Sequence, residues 1–525
     1  MSTKVLNQRL LDDTQFWKGK NVQLPKYDRK TIPVKSICFS AGRMAYGHTG
    51  DIMQDLLNLD PSTGLMVGIE TFSPKYVTEL SASDFLITQP IFENEKGKVT
   101  PKIQGAIDSI LYLDANTNSL AWARLLEYAR DPQVQFATIN APEGAYGVTY
   151  NGGDFAEPIS PVLIKDMEEG TVNSDAAKWT LFAMERFKAG LKFAMVSCTN
   201  FSGNGHYTAA TLKTVARAWE TKGFAPAGFL DYLSDSSRFS FPNCMIDRIA
   251  VSPDESIRQQ MEAIGIRSNL VVTEKARYWA VEDNFPAGRP AFEKAEGVFM
   301  ESSYEEVKKY EDMKLRILNM SHSVIAGLGV LLGYRGNYGI YNAMKNEMIA
   351  TLIQRIIDIV IQTVDKPKQM DPKAFAADAI TRLNNPNIPD DPMRIALNAS
   401  TKMLPRFLDT YYAAEAKGIP RDQLNLILLP VAGFIRYTMG VDDQNIAYSL
   451  EDDPRKDLLT ACASKAVIGE PASAVAFREI IAHKDIMGKD LYQHGDTGAI
   501  LEEMVSKMLA GSDAVARTVA EYLTK

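Results

Sequence analysis

The chain has 525 residues and a formal net charge of −8, from 57 Lys plus Arg against 65 Asp plus Glu. Apolar residues make up 46% and charged residues 23%, the mix of a soluble globular protein long enough for two or three domains. The acidic balance argues against a nucleic-acid binder, and no apolar stretch reaches the roughly 20 residues that a bilayer span needs.

The first 20 residues lack the apolar core of a secretory signal. Cys38, Cys198, Cys244 and Cys462 lie far apart, with no CxxC pair. A reducing, cytoplasmic setting is therefore expected. The five histidines show no HExxH spacing, so no metal site is expected.

In chain order, VKSICFS (34–40) predicts a buried strand and AGRMAYG (41–47) a glycine-bearing turn. HTGDIMQDLLNL (48–59) has helical spacing in Ile52, Leu56 and Leu57. LMVGIE (65–70) predicts a second buried strand that ends on an acid. Further strands are predicted at 85–89, 110–114, 136–140 and 193–198, with helical patterns such as AWARLLEYAR (121–130) between several of them. Strands alternating with helices imply a parallel sheet of βαβ units. From about residue 303 helix formers dominate, as in 349–364, 392–416 and 514–523. Asp391 before Pro392 reads as a cap and first helical residue. The stretches 323–334 and 424–435 read as buried helices. The expected organisation is an α/β domain over 1–300 and an all-α domain over 301–525.

Strand, glycine turn, helix and an acid ending the next strand form a dinucleotide-binding order. Glycine lets the backbone approach a pyrophosphate, and the helix start offers free N–H groups. Ala41, Gly42, Arg43 and Met44 are the candidate loop residues. Glu70, 28 positions after Gly42, is placed to accept from ribose hydroxyls. An acid there repels a ribose phosphate, which favours NAD over NADP. Ser40 and Ala41 stand where a first glycine is expected, so an ordinary strand-to-helix turn is the alternative.

The segment KLRILNMSH (314–322) lies in a stretch of helical character. At about 100° per residue, Asn319 stands about 140° and His322 about 80° round from Lys314, within one arc. A desolvated lysine is a credible base, an asparagine amide can donate to an alkoxide, and a histidine can orient the reacting hydroxyl. The bland alternative is a snorkelling Lys314, an Asn319 in a local turn and a satisfied core His322.

KLRILNMSH carries the K-x4-N-x2-H pattern of the polyol-specific long-chain dehydrogenases, the mannitol 2-dehydrogenase family, which the chain resembles from about residue 5 onward. YDR (27–29), SCTNFSGNG (197–205), FPNCMIDRI (241–249), EDNFPAGRP (282–290) and RIALNASTK (394–402) follow the family's segments in order. The resemblance implies an α/β Rossmann-type N-terminal domain with a mostly parallel sheet, followed by an all-α C-terminal domain. It also implies metal-independent, NAD(P)-linked interconversion of a secondary alcohol and a ketone on polyols or sugar acids. Carried over, Lys314 is the general base in oxidation and the acid in reduction. Asn200 and Asn319 polarise the carbonyl, and His322 hydrogen-bonds the reacting oxygen. Asp247, Arg394 and Lys402 hold more distant substrate groups. Glu143, in PEGAY (142–146), lies near the expected nicotinamide site.

Asp247 has an alternative as an ion pair with Arg248. Arg394 and Lys402, eight apart and about 80° round an ideal helix, are expected to face one site. Surface charge is their alternative. Three departures mark a divergent member: SAGRMAYGH in the phosphate loop, Thr199 where the family has an acid, and PEGAY for TEKGY. Three functions follow. They are an NAD-dependent dehydrogenase of a mannitol-type alditol, a keto-uronate reductase making an aldonate, and a non-catalytic NAD- or sugar-binding protein. A small-molecule partner, no nucleic acid, no membrane and a monomer are expected.

Overall fold

The computed structural model describes residues 3–93 and 97–524. They divide into two compact units, 3–93 with 99–308, and 97–98 with 309–524.

The first unit is built on six parallel strands: β1 (Val34–Phe39), β2 (Leu65–Glu70), β3 (Ile107–Tyr112), β4 (Phe136–Ile139), β5 (Phe193–Ser197) and β6 (Phe239–Ser240). Their spatial order is 3-2-1-4-5-6, that of a doubly wound dinucleotide-binding sheet. Side chains alternate between two covered faces, which is why these strands read as continuous apolar runs. Ile37, Phe39, Met195 and Phe193 pack with Trp122, Trp179 and Trp219 on one face. Cys38, Met66, Ala194 and Val196 pack with Tyr46, Leu56, Trp279 and Phe292 on the other.

The strand expected at 85–89 joins a different sheet. Asp84 and Phe85 have φ of 52° and 58°, so the chain turns there before the strand Ile87–Phe92 starts. That strand pairs antiparallel with Val99–Gln104 and parallel with Val272–Glu274. Apolar periodicity reports burial but not the partner strand, and a local hairpin took this one. In a further three-stranded sheet the central Tyr278–Glu282 pairs antiparallel with Cys244–Asp247 and parallel with Val298–Glu301.

In the second unit, Arg421–Tyr437 packs against Glu347–Thr363, Asp409–Ala416, Thr497–Met508 and Ala514–Thr524. Asn346 caps Glu347–Thr363, its side chain accepting from Met348 N (3.0 Å) and Ile349 N (3.2 Å). The helix begun at Tyr304–Lys314 continues through a π-helical turn (Leu315–Asn319), an α turn (Met320–Val324) and a second π turn (Ile325–Gly329).

The helix expected over 392–416 is broken. Pro392–Ala396 is helical, with Asp391 accepting from Met393 N at 3.0 Å. Asn398 then turns left-handed at φ 55°, and Ala399–Lys402 forms a 3-10 turn. A π turn (Leu404–Leu408) and the helix Asp409–Ala416 follow. Asn398 N donates to Asp452 O (2.8 Å), and Ser400 N and Oγ donate to the Asp453 carboxylate (2.8 and 2.6 Å). These non-local bonds outcompete the local helix ladder.

Candidate active site

β1 ends in a turn that points the following helix back across the sheet. Ser40 takes φ 58°, a backbone state glycine adopts without cost, so the serine there carries local strain. Ala41 N donates to Ile69 O (2.9 Å), tying the loop to β2. Gly42 is followed at once by helical Arg43 and Met44, and a Cβ at Gly42 would meet nothing within 4 Å. That open approach at a helix start suits a pyrophosphate. At the end of β2, Glu70 Oε1 accepts from the N–H groups of Thr71 (3.0 Å), Phe72 (2.6 Å) and Ser73 (3.2 Å). The carboxylate is thereby fixed with Oε2 left to accept from a ribose. Glu143 is exposed in the turn Glu143–Tyr146 just beyond β4. The loop, the helix start and Glu70 fit an NAD molecule.

Asn200 follows β5, beyond the carboxyl end of the sheet, and is exposed. Thr199, standing where the family has an acid, is buried and neutral. Its hydroxyl donates to Ala141 O (2.8 Å) and bonds the Tyr146 hydroxyl (3.1 Å), which also bonds Ser197 Oγ (2.6 Å). Burial pushes the Tyr146 phenol up, so this cluster stays uncharged.

Three of the segments that carry the family resemblance, 197–205, 241–249 and 282–290, interlock. Asn204 Nδ2 donates to Cys244 O (2.7 Å), and its Oδ1 accepts from Cys244 N (2.9 Å). Asn243 Oδ1 accepts from Gly205 N (2.8 Å), while Asn243 N and Nδ2 donate to Glu282 Oε2 (2.6 and 2.7 Å). A Cβ at Gly205 would sit 2.3 Å from Phe241 O, so only glycine allows this contact. The lock sets the strand Cys244–Asp247, whose last residue is 4% exposed. Arg248 turns instead to Asp51, to Thr273 Oγ1 (3.0 Å) and to Glu274 O (2.9 Å). The Asp247–Arg248 ion pair considered from sequence is therefore not the one formed.

In the second unit Lys314, Asn319 and His322 are 4%, 8% and 7% exposed. Lys314 ends an α-helical segment and Asn319 ends the π turn that follows. A π turn holds one residue more than an α turn. One extra residue takes about 100° off the angles of an ideal α-helix. Asn319 and His322 then stand within about 40° of Lys314, as positions i, i+4 and i+7 would. The wide arc expected from the sequence becomes a single stripe. His322 Nδ1 lies 3.0 Å from Leu318 O. A carbonyl only accepts, so Nδ1 carries the hydrogen and Nε2 is the acceptor of the neutral ring. Burial lowers the His322 pKa to about 4, partly opposed by the Asp390 carboxylate, so the ring is neutral at pH 7.

Arg394 and Lys402 do not share a helix, because the chain breaks between them. Arg394 holds both oxygens of Asp390 at 2.9 Å. Lys402 Nζ donates to Ile395 O (2.8 Å) and Leu397 O (2.5 Å). Its pKa is lowered to about 7, first by burial and then by the Arg406 and Arg394 charges. Asp390 and Arg406 carried no signal in the sequence reading. Both matter only through tertiary contacts, although Asp390 lies four residues before Arg394 and Arg406 four after Lys402. Among the described residues no group of three or more His, Cys, Asp or Glu could hold a metal ion.

Residues 44–294 match the mannitol dehydrogenase Rossmann domain, and residues 306–508 the mannitol dehydrogenase C-terminal domain. A D-mannonate oxidoreductase of Thermotoga maritima is 30% identical, over 99% of both chains. A mannitol 2-dehydrogenase of Cereibacter sphaeroides is 27% identical, over 90% of this chain and 95% of that one. The fold is shared with the Pseudomonas fluorescens mannitol 2-dehydrogenase solved with NAD and D-mannitol. There the TM-score is 0.81 at 23% identity, over 99% of this chain and 100% of that one. With both domains matched in order and a relative aligned along nearly its whole length, the chain belongs to the mannitol dehydrogenase family of oxidoreductases.

Proposed function

We propose that the chain is an NAD-dependent dehydrogenase that interconverts a secondary alcohol and a ketone on an open-chain polyhydroxylated substrate, with a lysine and no metal as acid and base. The stripe of Lys314, Asn319 and His322 carries this reading. When bound, NAD supplies the hydride acceptor. Lys314 Nζ takes the hydroxyl proton in oxidation and returns it in reduction. Neutral His322, whose Nε2 can only accept, takes a hydrogen bond from a substrate hydroxyl beside the reacting one and so orients the substrate, leaving the reacting proton to Lys314. The Asn319 amide donates to the oxygen as negative charge grows there. Asn200 serves as a second amide of this kind, and Asp247 holds a further hydroxyl. Ala41, Gly42, Arg43 and Met44 receive the pyrophosphate, Glu70 the adenosine ribose, and Glu143 lies toward the nicotinamide.

Mannitol-type alditols and sugar acids are the two substrate classes in question. The names of the mannitol 2-dehydrogenases support the first, and that of the mannonate oxidoreductase supports the second. The test is NADH absorbance in both directions. Mannitol, sorbitol, arabinitol, mannonate and altronate are the alcohols, and fructose, fructuronate and tagaturonate the ketones. Turnover is expected, and Lys314→Ala abolishes it while the fold and NADH binding persist. Substantial activity left in Lys314→Ala overturns the assignment of the base.

A further inference from the structure

Arg406 sits in the π turn Leu404–Leu408, half-buried. Its Nη1 donates to the carbonyl of Asn319 (3.1 Å) and to Ser323 Oγ (2.7 Å). Those two residues flank the turn that carries His322. The guanidinium forms no ion pair among the described residues, and burial alone pulls its pKa down to about 10. Among the described residues Nε and Nη2 have no protein acceptor, and they belong to the fork that matches a carboxylate in two-pronged fashion.

Lys402 is in the same position. Among the described residues its ammonium reaches carbonyls only, and Arg406 is the first charge set against it. Asp453, the acid nearest in effect, is occupied by Ser400 N, Ser400 Oγ and Arg455 N. Of the three cations in this region, Arg394 alone has a carboxylate of its own, Asp390. Two neighbouring cations without an acid repel each other in a partly desolvated place. A neutral alditol leaves that repulsion standing, whereas a carboxylate relieves it.

We infer that Arg406, acting with Lys402, anchors a carboxylate on the substrate, so that the chain acts on sugar acids in preference to neutral polyols. This rests on the dehydrogenase reading above, and it assigns that site its substrate class and a specificity residue. The anchor lies four residues past Lys402, in the π turn that also steadies the Asn319 carbonyl. An acid held there is fixed relative to the amide that meets the reacting oxygen.

The test compares two ligands of one carbon skeleton, D-mannonate and D-mannitol. Each is titrated into the full chain saturated with NADH, followed by NADH fluorescence, where neither can turn over. The wild type is expected to bind mannonate at least about tenfold more tightly than mannitol, as charge-assisted hydrogen bonds imply. Arg406→Gln is expected to cut the ratio of the two affinities about 30-fold. Arg406→Lys, which keeps the charge and loses the fork, falls between. The ratio cancels any general loss from disturbing Asn319. A wild type that binds mannitol as well as mannonate overturns the inference, as does an equal loss for both ligands in Arg406→Gln. If mannitol alone binds and is oxidised with NAD, the dehydrogenase reading stands and the anchor falls. If NADH itself fails to bind, the dehydrogenase reading falls and takes the anchor with it.

Discussion

Lys402 offers a quantitative test of the anionic site through pH. Its pKa falls from an ordinary 10.5 to about 7 through burial and the Arg406 and Arg394 charges, with Asp453 opposing. That drop of 3.5 amounts to about 5 kcal/mol against the charged ammonium at about 1.4 kcal/mol per pH unit. The sign follows directly. Below pH 7 the lysine is charged and ready for an anion. Above pH 7 it is neutral, and binding an anion must first restore the proton. At pH 9, two units above the pKa, that restoration costs about 2.7 kcal/mol, or about 100-fold in affinity. The Kd of D-mannonate in the NADH complex should therefore be flat below pH 6 and rise about tenfold per unit above pH 7.5. Calorimetry at pH 8.5 in buffers of differing ionisation heat should show close to one proton taken up per ligand bound. Lys402→Met should abolish both the slope and the proton uptake, with weaker binding throughout. A Kd constant from pH 6 to 9, or the same slope in Lys402→Met, would refute the reasoning.

Three other outcomes are expected. Glu70→Ser should raise the NADP-to-NAD ratio of kcat/KM at least about tenfold, since the carboxylate that repels a ribose phosphate is gone; equal use of both cofactors by the wild type removes the basis for this. Asp51, whose carboxylate is buried between Lys102, Arg248 and Arg277, should be costly to neutralise. Asp51→Asn leaves Arg248 without the acid it touches and should lower stability by about 3–5 kcal/mol, checked by thermal melting; a melting point within a degree or two of wild type contradicts it. His48 is wholly buried with its pKa lowered to about 4, so the unfolded chain takes up its proton first as pH falls. Stability should therefore drop by about 3 kcal/mol from pH 6.5 to pH 4 on this account. Urea unfolding of His48→Gln should show a shallower loss over that window, and an unchanged slope counts against the assignment.

Much of the α/β unit was legible in the sequence, because a buried parallel strand must be apolar on both faces. The runs 34–39, 65–70, 136–139 and 193–197 announced themselves in that way. The acid ending β2 and the glycine after β1 were equally plain, since each lies within a few residues of its strand. Lys314, Asn319 and His322 could be named from their spacing and from the family resemblance.

Their alignment could not be read in the same way. On an ideal α-helix the five-residue step from Lys314 to Asn319 opens about 140°, and the π turn at Leu315–Asn319 supplies the rotation that narrows it. Arg394 and Lys402 looked like neighbours on one helix, yet Asn398, held by Asp452, separates them. Arg406 was silent, because a lone arginine after a proline has no periodic signature and its meaning lies in having no acid beside it. Local periodicity and turn chemistry are written in consecutive residues, and these the sequence determined. Where a helix takes in an extra residue, where it breaks, and which charges stay uncompensated depend on contacts between residues distant in the chain. Only the tertiary structure decided those.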